Sequence, residues 1–215
     1  MIIPKLHYIS QGNTQEEHLA NIQNACTSGI ELVRLGLQNA SENEMSQLAQ
    51  EAIKITSHFQ TRLIICDDYK LAKEIKADGV HLNNQPLSPT LIRAKLYPWQ
   101  IIGATANTLQ DCEAVLAAEV DYISLGPYKA DKATTENKSC VLGLNGYTLI
   151  TEALNTKTHI LAFGEITTNE VSDLLKAGVS GIVLSSEITR DFNAIRSYNE
   201  LLNASVTEEQ RHTFE

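Results

Sequence analysis

The fold is decided by residues 159–188, HILAFGEITTNEVSDLLKAGVSGIVLSSEI, which contain a strand, a helix and a second strand. The two apolar runs, Ile160–Phe163 and Gly181–Leu184, have the length and the Val/Ile/Leu content of buried strands. Between them, Thr167 or Thr168 can cap a helix. Two buried strands separated by a helix are typical of a parallel β-α-β unit. The stretch therefore predicts an α/β fold.

The same pattern occurs elsewhere in the chain. TSGIELVRLG at 27–36, KADGVHLN at 76–83 and AAEVDYISLG at 117–126 each place a helix end, a small or acidic turn and an apolar strand in that order. The segments between them complete a set of eight strands alternating with eight helices. This predicts a (β/α)₈ TIM barrel over residues 1–203, followed by a polar C-terminal tail over 204–215. An open doubly wound sheet is the alternative, although no GxGxxG follows the first strand.

The predicted element bounds follow from the apolar runs and their periodicity. The last helix is predicted at Asp191–Leu202, and Pro127–Leu144 is the longest predicted loop, on the rim where barrel active sites lie. The predicted strands are Lys5–Ser10, Leu32–Gly36, Leu63–Cys66, Val80–Leu82, Ile101–Thr105, Tyr122–Gly126, Ile160–Phe163 and Gly181–Leu184.

Composition excludes several functional classes. With 17 Lys and Arg against 26 Asp and Glu, the net charge of −9 argues against a nucleic-acid partner or an anionic membrane surface. No basic and apolar leader opens the sequence, and no apolar stretch reaches the length of a membrane span. The four cysteines are far apart and form no CxxC pair, which favours reduced thiols. These features predict a cytoplasmic protein, and they leave open a small phosphorylated ligand, because backbone amides can hold a phosphate without net positive charge.

The carboxyl ends of the last two predicted strands form a candidate anion site. Gly164 follows one strand, and Ser185 and Ser186 follow the other. In a barrel these positions lie on the same rim, where backbone N–H groups can bind phosphate. We therefore predict that Gly164, Ser185 and Ser186 bind a substrate phosphate.

Four motifs resemble those of the thiamine phosphate synthase and thiazole tautomerase (TenI) family. They are ADGVHL at 77–82, DYISLGP at 121–127, and the pair AFGEI at 162–166 with GIVLSSEI at 181–188. The resemblance implies a (β/α)₈ barrel that joins hydroxymethylpyrimidine pyrophosphate to thiazole phosphate, releases pyrophosphate and uses Mg²⁺. It implies a small phosphorylated heterocycle as the partner, and it leaves a homodimer open.

The resemblance also implies roles for individual residues after the second strand. Members of the family carry Gln-x-Arg-x-Lys there, whereas this chain has Arg34, Gly36 and Gln38 at the three named positions. The fork of donors that suits phosphate oxygens is therefore replaced. We assign Arg34 a catalytic role and Gln38 a place on the pyrophosphate side.

Further departures concern the metal and the catalytic hydroxyl. Asp67 matches the first Mg²⁺-binding acid of the family, whereas Pro86 stands where the second acid is expected. Thr105 replaces the family serine after the fifth strand and keeps a hydroxyl, so we assign it a catalytic role. In the loop after the sixth strand, Lys129 and Lys132 supply positive charge on the pyrophosphate side. We therefore predict a synthase-type barrel whose pyrophosphate and Mg²⁺ site is eroded.

Two other functions remain open at this point. One is a catalytically silent paralogue that binds a phosphorylated ligand of the thiamine pathway. The other is a TenI-like thiazole tautomerase, although Pro127 stands where tautomerases have a histidine, so His81 or Glu165 would have to act instead. Structural roles compete with functional ones elsewhere: a half-buried, hydrogen-bonded His81, a buried and inert Cys66 thiol, and backbone-binding turn residues at Asp78 and Asp121.

Overall fold

The computed structural model describes residues 2–37, 41–83, 88–129 and 141–202. Parallel strands pair in chain order, and the last pairs with the first, so the sheet closes into an eight-stranded barrel. This confirms the (β/α)₈ prediction and excludes the open sheet. The strands are β1 Leu6–Ile9, β2 Leu32–Leu35, β3 Arg62–Cys66, β4 Gly79–Leu82, β5 Ile101–Ala106, β6 Tyr122–Leu125, β7 His159–Phe163 and β8 Gly181–Leu184.

Helices follow the strands around the outside of the barrel. Among the described residues, none of these helices is both long and apolar enough to cross a membrane. The helices are α1 Gln15–Thr27, α2 Glu42–His58, α3 Tyr69–Glu74, α4 Pro89–Arg93, α5 Leu109–Ala117, α6 Gly143–Leu154, α7 Thr168–Lys176, α8 Ser186–Arg190 and α9 Ala194–Leu201.

The single helix predicted at Asp191–Leu202 is wrong in its first turn. The structure has the short α8 immediately after β8, then an extended Asp191 with φ −153° and ψ 98°, and then α9. The Asp191 carboxylate accepts hydrogen bonds from the backbone N and the side-chain amide of Asn193, at 3.0 and 3.1 Å. This local turn competes with helical bonding and separates the two helices. The short α8 thus forms a separate helix that begins directly after β8, at the mouth of the barrel.

The predicted cap of α7 is confirmed. The backbone N–H of Thr167 donates to the Glu170 carboxylate at 2.8 Å, and the Thr167 hydroxyl lies 3.0 Å from the same carboxylate. This capping box satisfies donors that the first turn of a helix leaves open. It fixes where the chain leaves β7 and enters α7, which positions the loop containing Gly164.

Two acidic residues hold the amino ends of the strands together, as the turn interpretation predicted. The Asp78 carboxylate accepts from the backbone N–H of Leu63 at 2.8 Å, and the Asp121 carboxylate accepts from that of Ile102 at 2.7 Å. Both residues lie at the end of the barrel opposite the carboxyl ends of the strands. They are therefore structural, and they do not belong to the site.

The barrel interior changes in character along its axis. One part is an apolar cluster that includes Leu32, Ile64, Leu161 and Val183. The Tyr122 ring enters this interior because residue 103 is glycine: a Cβ there would lie 2.0 Å from the ring. Nearer the carboxyl ends of the strands the interior becomes polar, and this polar part contains the first half of the candidate site.

Candidate functional site

A buried arginine lies at the centre of the polar interior. Arg34, on β2, is only 2% exposed. Its Nε and Nη2 donate to Nδ1 of His7 at 3.1 and 2.8 Å, and Nη2 also donates to the Ser124 hydroxyl at 2.8 Å. Its Nη1 lies 3.3 Å from Nε2 of His81, and its guanidinium carbon lies 4.9 Å from the centre of the Tyr122 ring. Four strands therefore hold this guanidinium in one position.

The positive charge in this cluster belongs to Arg34. Burial, followed by repulsion from Arg34, holds the pKa of His7 and that of His81 well below the usual 6.5. Both imidazoles are therefore neutral at pH 7. Burial also lowers the pKa of Arg34, but a guanidinium starts above 12 and remains charged. The hydrogen-bond acceptors that the described residues give Arg34 are imidazole and hydroxyl groups, so no carboxylate hydrogen-bonded to it balances the charge.

A chain of hydrogen bonds connects this cluster to the rim. His81 Nε2 lies 2.9 Å from the Thr105 hydroxyl, which donates to the side-chain oxygen of Asn83 at 3.1 Å. The backbone N–H and the side-chain amide of Asn83 in turn donate to the two oxygens of the Asp67 carboxylate, each at 2.8 Å. The predicted residues Arg34, Thr105 and Asp67 thus belong to one polar chain, which includes His81 and Asn83.

From the sequence we considered His81 as a catalytic residue only for the tautomerase alternative, and we did not assign Asn83 to the site, although a signal for both was present. Every second residue of a strand points to the same face, so Gly79, His81 and Asn83 share the face of β4 that points into the barrel. A histidine and an asparagine on the inward face of a barrel strand are polar residues where apolar ones are usual. The expectation of a hydrogen-bonded His81 is confirmed, and its burial is nearly complete at 1% exposure.

The Asp67 carboxylate is already hydrogen-bonded within the protein. Its backbone adopts φ +60°, and its carboxylate accepts both donors of Asn83. The next acid, Asp68, caps α3 by accepting from the backbone N–H of Leu71 at 2.9 Å. Among the described residues, no three His, Cys, Asp or Glu side chains come together as a metal site. A Mg²⁺ ion at Asp67 would therefore depend on substrate phosphate oxygens for other ligands.

The Cys66 thiol lies beside this chain and is unreactive. Burial raises its pKa to about 12, against the opposing attraction of Arg34, so the thiol is protonated at neutral pH. Only a thiolate is strongly nucleophilic. This agrees with the expectation of an inert cysteine at the end of β3.

The second half of the site is a pocket at the ends of β7 and β8. It has a volume of about 120 Å³, and Gly164, Ser185, Ser186 and Lys129 all line it. Gly164 has φ +102°, a conformation that favours glycine and turns the backbone towards Tyr128. The structure therefore brings the three predicted phosphate-binding residues together. We call this pocket the seat.

Lys129, which we predicted on the pyrophosphate side, is placed by the structure in the wall of the seat. It forms an ion pair there with Glu170 of α7. The Glu170 hydrogen bond is the main cause that raises the pKa of Lys129. A cation beside backbone donors is a suitable environment for a phosphate group.

Carboxylates also line the seat. Glu165 and Glu187 both contribute to its wall, and the Glu187 carboxylate accepts from the backbone N–H of Ser185 at 3.2 Å. A bound phosphate would have to displace Glu187 from that amide. Two unit charges a few ångströms apart repel by about 1 kcal/mol or more near a protein surface. The seat thus has the geometry of an anion site, with like charges beside it.

A larger cavity of about 930 Å³ adjoins the seat and shares Ile9 and Ser185 with it. The β1–α1 loop lines much of it, and Gly36 lies on another side. In its wall the Ser10 hydroxyl lies 3.1 Å from His18 Nδ1. Its volume suits a drug-sized heterocycle.

Several predicted residues lie outside the described ranges. They are Gln38 and Lys132 of the pyrophosphate side, Pro86 at the position of the second acid, and most of the predicted 127–144 loop.

Comparisons with known proteins agree on one family. The family model for thiamine monophosphate synthase matches residues 6–188. The thiamine-phosphate synthase of Flavobacterium psychrophilum is 37% identical over 200 residues, covering 92% of this chain and 97% of that protein. The thiamine-phosphate synthase of Flavobacterium johnsoniae is 35% identical over 208 residues, covering 94% and 98%.

A solved structure has the same architecture. The thiamine phosphate pyrophosphorylase from Pyrococcus furiosus superposes with a TM-score of 0.79 at 21% identity, covering 94% of this chain and 96% of that one. At this level of identity the likeness supports the fold alone. It agrees with the closed barrel described above.

Proposed function

The chain belongs to the thiamine monophosphate synthase family, and we propose that it joins hydroxymethylpyrimidine pyrophosphate to thiazole phosphate. In this reaction the thiazole nitrogen forms a bond to the methylene carbon of the pyrimidine. The bond between that carbon and the pyrophosphate oxygen breaks, and pyrophosphate leaves with the electron pair. The single observation that carries the proposal is the seat, where Gly164, Ser185, Ser186 and Lys129 converge.

We propose that the seat binds the phosphate of the thiazole substrate. Backbone donors around Gly164 and Ser185 would hold the phosphate oxygens, and Lys129 would supply the nearby positive charge. The adjoining cavity of about 930 Å³ would then receive the rings of the substrates. This arrangement fixes the thiazole nitrogen relative to the pyrimidine, and such positioning is a large part of catalysis between two substrates.

The departing pyrophosphate would face the polar chain on the opposite side of the mouth. The Thr105 hydroxyl lies on this side, within one hydrogen bond of His81 and of Asn83. When bound by Asp67 and by substrate oxygens, Mg²⁺ would neutralise part of the charge on pyrophosphate. Arg34 adds a fixed positive charge behind Thr105. Gln38 and Lys132 remain proposed contributors to this side.

Binding without turnover is a second candidate, and the acidic wall of the seat favours it. Glu187 occupies the Ser185 amide, and Glu165 adds a further carboxylate beside Gly164. On this proposal the protein retains a ligand of the thiamine pathway but does not convert it. A steady-state assay with both substrates and Mg²⁺ separates the two candidates.

We expect thiamine phosphate to form at a rate within about 100-fold of the ~10 s⁻¹ typical of enzymes. A rate below that range, together with a higher melting temperature in thiazole phosphate, would support the silent paralogue. If thiazole phosphate neither reacts nor raises the melting temperature, both candidates are wrong. Cytoplasmic location and homodimer formation are further proposals; light scattering of the purified protein tests the dimer.

A further inference from the structure

The Arg34 guanidinium carries the positive charge that the proposed function places behind Thr105. It lies inside the barrel at 2% exposure. A buried charge is unfavourable unless an opposite charge or good hydrogen bonds compensate it. Within the described ranges, its hydrogen-bond acceptors are the neutral imidazole of His7 and the hydroxyl of Ser124, and a second neutral imidazole, that of His81, lies 3.3 Å from Nη1. The protein thus maintains a positive charge with no carboxylate bonded to it.

The position of this charge is fixed. His7, on β1, accepts from Nε and Nη2 of Arg34, and Ser124, on β6, accepts from Nη2. The Tyr122 ring lies against the guanidinium at 4.9 Å. Charges that are held in place before a ligand arrives stabilise that ligand without the reorganisation that water requires.

The charge also lies close to the mouth of the barrel. From Nη1 of Arg34 to His81 Nε2 is 3.3 Å, and from there to the half-buried Thr105 hydroxyl is 2.9 Å. Above Arg34 on the same inward face of β2 is Gly36, which has no side chain to screen it. Gly36 packs directly against Cys66, whose Cβ would lie 2.9 Å from a Cβ at position 36. The uncharged Cys66 side chain therefore takes the space that a side chain at position 36 would enter, so β2 places no second charge above Arg34.

We propose that Arg34 is a positioning residue for the pyrophosphate end of the substrate. Its buried charge attracts the anion to the mouth of the barrel beside Thr105. His81 lies between the guanidinium and the anion, so the two groups do not touch. The inference rests on the proposed function. The family has an arginine at the position of Gly36, and on this inference Arg34 supplies positive charge to that side of the site instead.

Two variants separate charge from structure. Arg34→Lys and Arg34→Gln both remove the fork that bonds His7 and Ser124, so both should lose stability to a similar degree. Only Arg34→Lys retains the positive charge. The measurement is calorimetric binding of inorganic pyrophosphate at fixed ionic strength, without added Mg²⁺.

We expect Arg34→Gln to bind pyrophosphate at least ~10-fold more weakly than the wild type, and Arg34→Lys to remain within about threefold. Equal affinities in the two variants overturn the inference. Lys129→Met is the matched removal of one positive charge from the seat. If it weakens pyrophosphate binding as much as Arg34→Gln does, the ion binds in the seat and the inference is wrong.

If both Arg34 variants fail to fold, the wild-type protein still provides a test. In ¹⁵N-labelled protein, the Nε resonance of Arg34 should shift as pyrophosphate is added and should saturate with the calorimetric Kd. An unchanged resonance at saturation overturns the inference.

The two-substrate assay on the wild type distinguishes the two failures. If the wild type turns over normally and pyrophosphate affinity does not depend on the residue at position 34, only this inference is wrong. Absence of both turnover and pyrophosphate binding defeats the proposed function as well.

Discussion

The two halves of the barrel mouth differ in the groups that form them: backbone groups in one half and side chains in the other. The seat at the ends of β7 and β8 is proposed to bind its ligand through backbone groups around Gly164, Ser185 and Ser186. The opposite half depends on a chain of side chains that runs from Arg34 to Asp67. Backbone N–H groups are present whatever the residue, whereas a side-chain network requires each member. The backbone donors of the seat are therefore unaffected by a residue such as Glu165 beside them. A substitution in the polar chain, in contrast, removes one of its hydrogen bonds.

This contrast predicts that backbone geometry matters most in the seat and hydroxyl or charge matters most in the chain. The largest effect is expected from Gly164→Ala. At φ +102°, the new Cβ would lie 2.8 Å from the backbone N of Tyr128 and 2.9 Å from the backbone O of Lys129. The loop must shift, and affinity for thiazole phosphate should fall about 100-fold in calorimetry.

Gly29→Ala is the matched control for that substitution. Gly29 has φ +90°, but among the described residues other than its two chain neighbours, no heavy atom lies within 4 Å of the Cβ that alanine would add. It should lose about 1 kcal/mol of stability from backbone strain and keep its affinity. Equal losses of affinity in the two variants would show that the seat does not depend on Gly164.

The next effect concerns the polar chain. Thr105→Val removes the hydroxyl between His81 and Asn83 and leaves both without that partner. We expect kcat for thiamine phosphate formation to fall about 30-fold, with a loss of ~1–2 kcal/mol in the free energy of unfolding. Thr148→Val, which removes a hydroxyl bonded to Leu144 within α6, should leave kcat unchanged. An active Thr105→Val enzyme would exclude the chain from catalysis.

The buried imidazoles predict a pH dependence of stability. The pKa values of His7 and His81 are lowered in the folded protein, so the unfolded chain binds more protons below its own pKa near 6.5. Stability should be constant above that pH and should fall as the pH falls, by about 1.4 kcal/mol per pH unit for each histidine. Urea unfolding from pH 7.5 to 5 measures this slope. His81→Gln should reduce it, and an unchanged slope would assign it to other groups.

The smallest effect is expected in the seat and has the opposite sign. Glu187→Gln removes the negative charge at the Ser185 amide and keeps the size of the side chain. Affinity for thiazole phosphate should increase by about 3- to 10-fold. Glu200→Gln alters an exposed pair with Arg196 and should have no effect. A weaker Glu187→Gln variant would mean that the carboxylate assists the ligand.

Much of the fold follows from sequence because each β-α unit repeats one apolar pattern. β8 was predicted with the observed bounds, and the cap of α7, predicted at Thr167 or Thr168, is at Thr167. The separation of α8 from α9 was missed because it depends on how the Asp191 side chain bonds to its neighbour. Such a local turn does not interrupt the apolar periodicity from which helices are inferred.

The candidate site was only partly predictable. The seat could be located because its residues follow two strands directly in the sequence. Arg34 was assigned a role at the site, but its burial was unforeseen, since arginine is rarely buried. Its partners on β1, β4 and β6 are 27, 47 and 90 residues away in the chain. Only closure of the barrel brings them into contact.

The side-chain amide of Asn83 has a consequence for proton positions deep in the barrel. Because its nitrogen donates to Asp67, its oxygen faces Thr105 and takes the only proton of that hydroxyl. Thr105 can then only accept, so Nε2 of His81 carries the proton and Nδ1 accepts from Tyr122 at 3.0 Å. The 3.3 Å approach of Arg34 Nη1 to the same Nε2 is then a contact between two donors and not a hydrogen bond. A carboxylate on the rim thereby selects the tautomer of an imidazole in the interior. If Asp67 bound a different partner, the donors and acceptors along Asn83, Thr105 and His81 could exchange roles. The hydrogen bonds would then reverse direction as far as the barrel centre without movement of any heavy atom.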